Sequence, residues 1–250
     1  RMIRRIWIAA LVASLCGHAA AQTAGEIIDK HIAARGGLEK IKAMKTVRMT
    51  GQLDLGGGQM AVLVSEQKRP NVMRMDMLIG PMVAVRAYDG KHGWIFMPQM
   101  GHTQPQPMSD DDLKDALEEA DIDTPLVDYK AKGNNVEFVG REAVEGHDCY
   151  RLRLTLKNGD VRDHFIDSET FLDIRSQGGR KGSDGEESTF VQTVSDFREV
   201  DGVIFPHLSV VEVTQKGQAA GKFTYKIERI EINIPIDDEH FRMPASQPSK

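Results

Sequence analysis

The stretch VMRMDMLIGPMVAVRAYDGKHGWIF, residues 72–96, shows how this chain is built. Met73, Met75 and Met77 alternate with charged residues, and a period of two is typical of a strand with one buried face. A Gly-Pro pair and an Asp-Gly pair interrupt the stretch, and such pairs form turns. The stretch therefore predicts strands over 72–79 and 82–88 and a third strand from 94, all joined by short turns.

Segments of the same kind lie on both sides of this stretch. Upstream, an alternating segment over 47–55 and another over 60–67 flank three consecutive glycines. Downstream, seven further segments lie between 136 and 234, two of them joined by the hairpin signal Asn158-Gly159. Strands with such short connections pair antiparallel, and a sheet of about ten strands curls. We expect a mainly β fold with a single, strongly curved antiparallel sheet.

Helices are predicted at two places in the chain. Thr23 and Glu26 have the spacing of a capping box, which predicts a helix to about Arg35 and a short second helix over 38–44. Ser109 precedes three aspartates, which is typical of a helix start, and the apolar residues that follow share one face. We expect the helices around 24–44 and 109–129 to cover the concave side of the sheet.

The first 21 residues have the pattern of a secretory signal peptide. Arg4 and Arg5 precede a short apolar run over 6–15, and three alanines at 19–21 supply a cleavage site. We expect cleavage after residue 21, a single mature domain over 22–250, and export to the periplasm. Lipidation of Cys16 is the alternative, although the large Leu15 before it argues against a lipoprotein signal.

The composition excludes several classes of protein. Apolar residues make up 40% of the chain, enough for a sizeable core, and 37 acidic residues outnumber 32 basic ones. This acidic balance argues against nucleic acid as a partner. The motifs of serine hydrolases, zinc proteases and phosphate loops do not occur, and Cys149 is the single cysteine outside the leader. We expect a monomer that is not an enzyme and uses no cofactor.

The methionines are unevenly distributed. Ten of the 12 lie between residues 44 and 108, three of them on one face of the strand over 72–79. Methionine fills irregular gaps in ordinary cores, but its flexible side chain also suits apolar ligands of variable shape. A third interpretation is a Cu(I) site, in which thioether sulfurs act with His92 or His102 as soft ligands. The pattern leaves these three interpretations open.

Several short motifs resemble one family of proteins. These are QKRPN at 67–71 followed by MRM at 73–75, YDGK at 88–91 with Trp94 close behind, and FRMP at 241–244. Together with the proline-containing loop and the helix at Leu113, they resemble the periplasmic lipoprotein carriers of the LolA/LolB type. The resemblance implies an unclosed antiparallel barrel with a helical lid that carries the acyl chains of lipoproteins. The longer meander over 136–205 resembles an outer-membrane lipoprotein-sorting branch of that family.

We therefore expect a periplasmic carrier or binder of acyl chains, from lipoproteins or lipids, which exchanges them with membrane proteins of lipoprotein trafficking. The alternatives are a methionine-rich Cu(I)-binding protein and an envelope scaffold with a filled core. Affinity would come from burying acyl chains, at about 0.8 kcal/mol per methylene. The residues expected to line the apolar cavity, with the last two on the lid, are Met49, Leu53, Val62, Val64, Met73, Met75, Met77, Val83, Val85, Trp94, Leu113 and Leu117.

Overall fold

The strands of this protein form one antiparallel sheet. The computed structural model describes residues 23–182 and 185–244, and the predicted leader lies outside these residues. Within them the strands are β1 (Thr46–Asp54), β2 (Met60–Lys68), β3 (Val72–Ile79), β4 (Met82–Tyr88), β5 (Gly93–Phe96), β6 (Gln106–Pro107), β7 (Asn135–Val144), β8 (His147–Thr155), β9 (Val161–Asp167), β10 (Asp173–Lys181), β11 (Glu187–Val200), β12 (Val203–Gln215) and β13 (Gln218–Ile232). The helices are α1 (Ala24–Ala34), α2 (Leu38–Ala43) and α3 (Asp110–Glu119).

The order of the strands makes the sheet an unclosed barrel. It runs β6-β5-β4-β3-β2-β1-β13-β12-β11-β10-β9-β8-β7, so almost every strand pairs with its neighbour in the chain. The exception is β1, which pairs with β13 and thereby joins the two halves of the chain. The outermost strands, β6 and β7, are not paired with each other. The predicted single antiparallel sheet, open at its edges, is confirmed.

A close backbone approach allows β1 and β13 to pair. The register shifts between Thr50 and Gly51, which is a β-bulge. A Cβ atom on Gly51 would lie 2.1 Å from the carbonyl oxygen of Lys226, so only glycine fits at this position. The sequence contains no local signal for this pairing, because the two strands lie far apart along the chain.

The helices pack on the concave face of the sheet, as predicted. The capping box of α1 is present: Thr23 Oγ1 accepts from the Glu26 amide at 3.3 Å, and the Glu26 carboxylate accepts from the Thr23 amide at 2.8 Å. Ile27 and Ile28 of this helix are buried against Leu152 and neighbouring residues of β8 and β9. The turn after α2 packs against β1, β12 and β13.

Helix α3 covers the other end of the concave face. Ser109 caps the helix by accepting from the Asp112 amide at 3.1 Å. Ala116 and Ala120 are fully buried against Met73 and Tyr88 of β3 and β4. Because these contacts use small alanine side chains, the helix lies close to the sheet along one side. Among the described residues, no helix combines the length and apolar character needed to cross a membrane.

Candidate functional site

The concave face has an apolar floor beside α3. Met75 and Met77 of β3 are partly buried there and pack with Leu53 of β1 and with Phe223 and Tyr225 of β13. Met73, on the same face, is 1% exposed and lies beneath α3. Met49 also points to this side and packs in the cluster formed by the turn after α2. The three methionines of β3 thus share one inward face, as their alternation predicts.

Five of the predicted cavity residues lie on the opposite, convex face. The register places Leu63 opposite Met77 on the inner face, so the neighbouring Val62, which lies opposite Leu78, points outward. By the same alternation the outward residues include Val62, Val64, Val83, Val85 and Trp94. Strands β2 and β4 carry apolar residues on both faces, and their sequence alone does not show which face turns inward. We therefore leave these five residues out of the proposed lining.

The convex face near Trp94 is covered by the segment that contains Phe241. Trp94 Nε1 donates a hydrogen bond of 2.9 Å to the carbonyl oxygen of Phe241. Trp94 packs with Val85 and Ala87 in a small cluster of its own. These residues therefore stabilise the outside of the sheet, whereas the predicted cavity lies on its inside.

The two lid leucines have different surroundings. Leu113 packs with the cluster under α3, close to Gly93, where an added Cβ would lie 3.0 Å from its side chain. Leu117, one turn further along, is 39% exposed and lines a groove beside the helix. Leu113 thus holds the helix on the sheet, and Leu117 faces open space.

The groove lies between α3, the turn that joins β8 to β9, and the inner face of β9–β11. Its volume is about 870 Å³, within the range of small-molecule sites in proteins. Its apolar lining includes Leu117, Leu156 and Phe190, and charged side chains surround them. An opening of this size between a helix and a curved sheet can accommodate an elongated apolar ligand.

Two ion pairs connect α3 to strands on opposite sides of the groove. Arg86 of β4 donates to both carboxylate oxygens of Glu119 at 3.0 Å. Arg162 of β9 donates to Glu118 at 2.8 Å and stacks over the ring of Phe190 at 4.8 Å. Burial raises the pKa of Glu119, and the charge of Arg86 opposes this shift. The adjacent glutamates therefore bridge β4 and β9 across the concave face.

The chain after α3 is anchored at Asp123. Arg69 donates to both oxygens of Asp123, at 3.0 and 2.5 Å, and Lys42 donates at 2.6 Å. Burial would raise the pKa of Asp123, but these hydrogen bonds outweigh it and lower the pKa to about 2. Arg69 also donates to the carbonyl oxygens of Ile41 and Met44. The C-terminal end of the lid is therefore fixed to the helices and to the β2–β3 turn.

Comparison with solved structures identifies the architecture. A LolA superfamily protein from Nitrosomonas europaea is 14% identical, with a TM-score of 0.57 over 89% of this chain and 98% of that chain. The chain has the LolA fold. A DUF1329 family protein from Desulfovibrio piger is 12% identical, with a TM-score of 0.56 over 87% of this chain and 96% of that one.

A third structure has the same fold. It is an outer membrane lipoprotein-sorting protein domain from Vibrio parahaemolyticus, 11% identical, with a TM-score of 0.56 over 86% of this chain and 94% of that chain. No protein-family profile and no curated protein sequence matches the chain. At these identities the likeness concerns the LolA fold, and the site has to be argued from its own residues.

The groups that could carry chemistry are dispersed. Among the residues that the structure describes, no three histidine, cysteine or acidic side chains are placed to bind a metal ion. Burial raises the pKa of the Cys149 thiol to about 11, which suppresses its nucleophilic thiolate. His164 donates to Asp173 at 2.6 Å, but the hydroxyl of Ser176, opposite His164 on the neighbouring strand, donates to Gln192 at 3.5 Å.

Sequence reasoning missed the charged residues of the site. Arg86 and Arg162 both occupy inward positions of their strands, opposite Met75 and Leu154. A charged residue at an inward position of an alternating strand is the signal that could have revealed them, because burying a charge requires a partner. Their partners, the glutamates at 118 and 119, directly follow Leu117, and their sequence context is that of ordinary surface residues of a helix.

Proposed function

We propose that this protein is a periplasmic carrier that binds acyl chains of lipoproteins or lipids in the groove beside α3. The observation that carries the proposal is the groove itself, which opens on the same concave face as an apolar floor of half-buried side chains. A filled core would bury these side chains completely, but Met75, Met77 and Tyr225 remain partly accessible. The periplasmic location rests on the predicted leader.

The attachment of α3 supports a lid that opens and closes. Its C-terminal end is anchored at Asp123, while its body is held by buried alanines and by the ion pairs of Glu118 and Glu119. Arg86 and Arg162 are largely buried, so a lid that moves away must let water reach both guanidinium groups as the ion pairs separate. Entry of an acyl chain would separate these contacts and replace them by contacts with Leu117 and the floor.

The comparisons support the same class of function. One relative by fold is described as a lipoprotein-sorting domain and another as a member of the LolA superfamily. A carrier of this type needs no reacting groups, because binding and release perform the whole function. We expect the chain to exchange its cargo with membrane proteins of lipoprotein trafficking and to act as a monomer.

The copper interpretation has less support. Met73 is 1% exposed and packs with Tyr88 and Ala116, and Met75 packs with apolar neighbours as well. These contacts use the methionines as hydrophobic side chains. We therefore retain the acyl-chain carrier as the proposed function.

A pair of adjacent residues on β3 tests the proposal. Met77 points to the floor and Leu78, 40% exposed, points to the convex face, so Met77→Glu and Leu78→Glu place the same charge on opposite sides of one strand. Met77→Glu should weaken binding of a fluorescent fatty acid, because the chain would have to desolvate the carboxylate. Leu78→Glu should leave binding unchanged.

The test also includes the native ligand. Protein purified from the periplasm should release lipid or lipoprotein acyl chains into an organic extract, detected by mass spectrometry. Thermal unfolding of both variants controls for folding. Equal effects of the two substitutions, or no binding by the parent protein, would contradict the carrier and favour the scaffold with a filled core.

A further inference from the structure

A second, smaller chamber adjoins the groove. Its volume is about 240 Å³, and it shares Pro125, His164, Ser176 and Gln192 with the lining of the groove. The volume corresponds to roughly eight water molecules at about 30 Å³ each, enough for a small head group and the first carbons of a chain. An elongated ligand in the groove can therefore extend one end into this chamber.

Arg35 is the cation of the chamber, and it forms no salt bridge with Asp173, the acid in the same lining. It caps the C-terminal end of α1 and lines the chamber. Within the part of the chain that the structure describes, its side chain forms one hydrogen bond, to Thr124 Oγ1 at 3.2 Å, and no salt bridge. Burial lowers the pKa of Arg35, and the charges of Asp173 and Asp123 act on it only from a distance. A buried guanidinium that forms no salt bridge is stabilised strongly by an anion that reaches it.

His164 and Asp173 form a hydrogen-bonded pair within the chamber. Asp173 is the acid among the lining residues; its Oδ2 accepts a hydrogen bond from His164 Nδ1 at 2.6 Å, and its Oδ1 is buried without a partner among the described residues. His164 Nε2 is buried and has no partner among the described residues. Arg35 is therefore the donor that the chamber offers to an anionic group.

His31 contributes to the shape of the chamber. Its Nδ1 lies 2.9 Å from the carbonyl oxygen of Phe171, and because a carbonyl only accepts, this nitrogen carries the proton. Burial lowers the pKa of His31, which keeps the ring neutral. Arg35 is therefore the permanent positive charge among the lining residues, and the remaining wall is largely apolar.

We propose that this chamber binds the carboxylate of a single-chain acyl ligand at Arg35, with the head group inward and the acyl chain in the groove beside α3. The proposal rests on the function proposed above and specifies its ligand class. It differs from a carrier that leaves the head group in solvent, because here the head group selects the ligand.

Calorimetry with three ligands of equal chain length tests this proposal. Dodecanoate carries a carboxylate, dodecyl phosphate carries a phosphate, and dodecanol is neutral. Hydrogen bonds to charged groups are worth about 1.5–3 kcal/mol, so dodecanoate should bind about 10- to 100-fold more tightly than dodecanol. Arg35→Gln should remove this difference, and Arg35→Lys should restore part of it.

Arg198→Gln is the matched control, because Arg198 pairs with Asp196 on an exposed part of the sheet. Equal binding of dodecanoate and dodecanol by the parent protein, which requires no variant to fold, would overturn the head-group proposal and leave the carrier intact. Dodecyl phosphate binding tenfold more tightly than dodecanoate would overturn the choice of carboxylate. Absence of binding by all three ligands would overturn the carrier as well.

Discussion

Truncation of Leu117 should accelerate the release of an acyl ligand without unfolding the protein. Leu117 is 39% exposed beside the groove, so Leu117→Ala leaves no buried cavity, and stability should fall by less than about 1 kcal/mol. The change removes three carbons, each worth about 0.8 kcal/mol when buried against a ligand. If half of that contact is made with the acyl chain, the loss is about 1.2 kcal/mol, or roughly eightfold faster release.

Leu113 provides the matched comparison on the same helix. Its side chain packs in the cluster under α3, so Leu113→Ala should cost about 2 kcal/mol, the lower end for a leucine that is partly buried. The midpoint of urea unfolding of the ligand-free protein measures stability, and stopped-flow dissociation of a fluorescent fatty acid measures release. A large loss of stability in Leu117→Ala with an unchanged release rate would refute the distinction between the two leucines and the position of the groove.

Two further predictions concern the anchor and the methionine strand. Asp123→Asn removes a carboxylate held by Arg69 and Lys42 and should lower the free energy of unfolding by about 2 kcal/mol. Folding lowers the pKa of Asp123 from 3.8 to about 2, so its contribution to stability is complete above about pH 5 and is lost as the pH falls through 2. Acid titration of unfolding should therefore show a smaller loss of stability in the variant than in the parent protein. Replacing the three inward methionines of β3 by leucine should change the free energy of unfolding by less than about 1.5 kcal/mol and should preserve fatty-acid binding. Loss of fatty-acid binding together with loss of a stoichiometric copper site would support the metal interpretation.

Local patterns in the sequence determined most of the secondary structure. The alternation over 72–79 and the turn at Gly80 predict β3 and its partner, because a period of two and a φ of +59° are properties of a few consecutive residues. The capping box at Thr23 predicts the start of α1 in the same way. Short connections then require antiparallel pairing, so the curved sheet follows from local signals.

The inner lining and the polar groups of the site were decided only in the tertiary structure. A period of two shows that successive residues face opposite sides, but where both sides are apolar, as at Val62 and Leu63, only packing against α3 and β13 selects the inner one. β1 pairs with β13, and Arg35 and His164 line the same chamber. In both cases the residues lie more than 100 positions apart in the sequence. No local pattern encodes such contacts, because they depend on the curvature that the whole sheet adopts when its apolar face is buried.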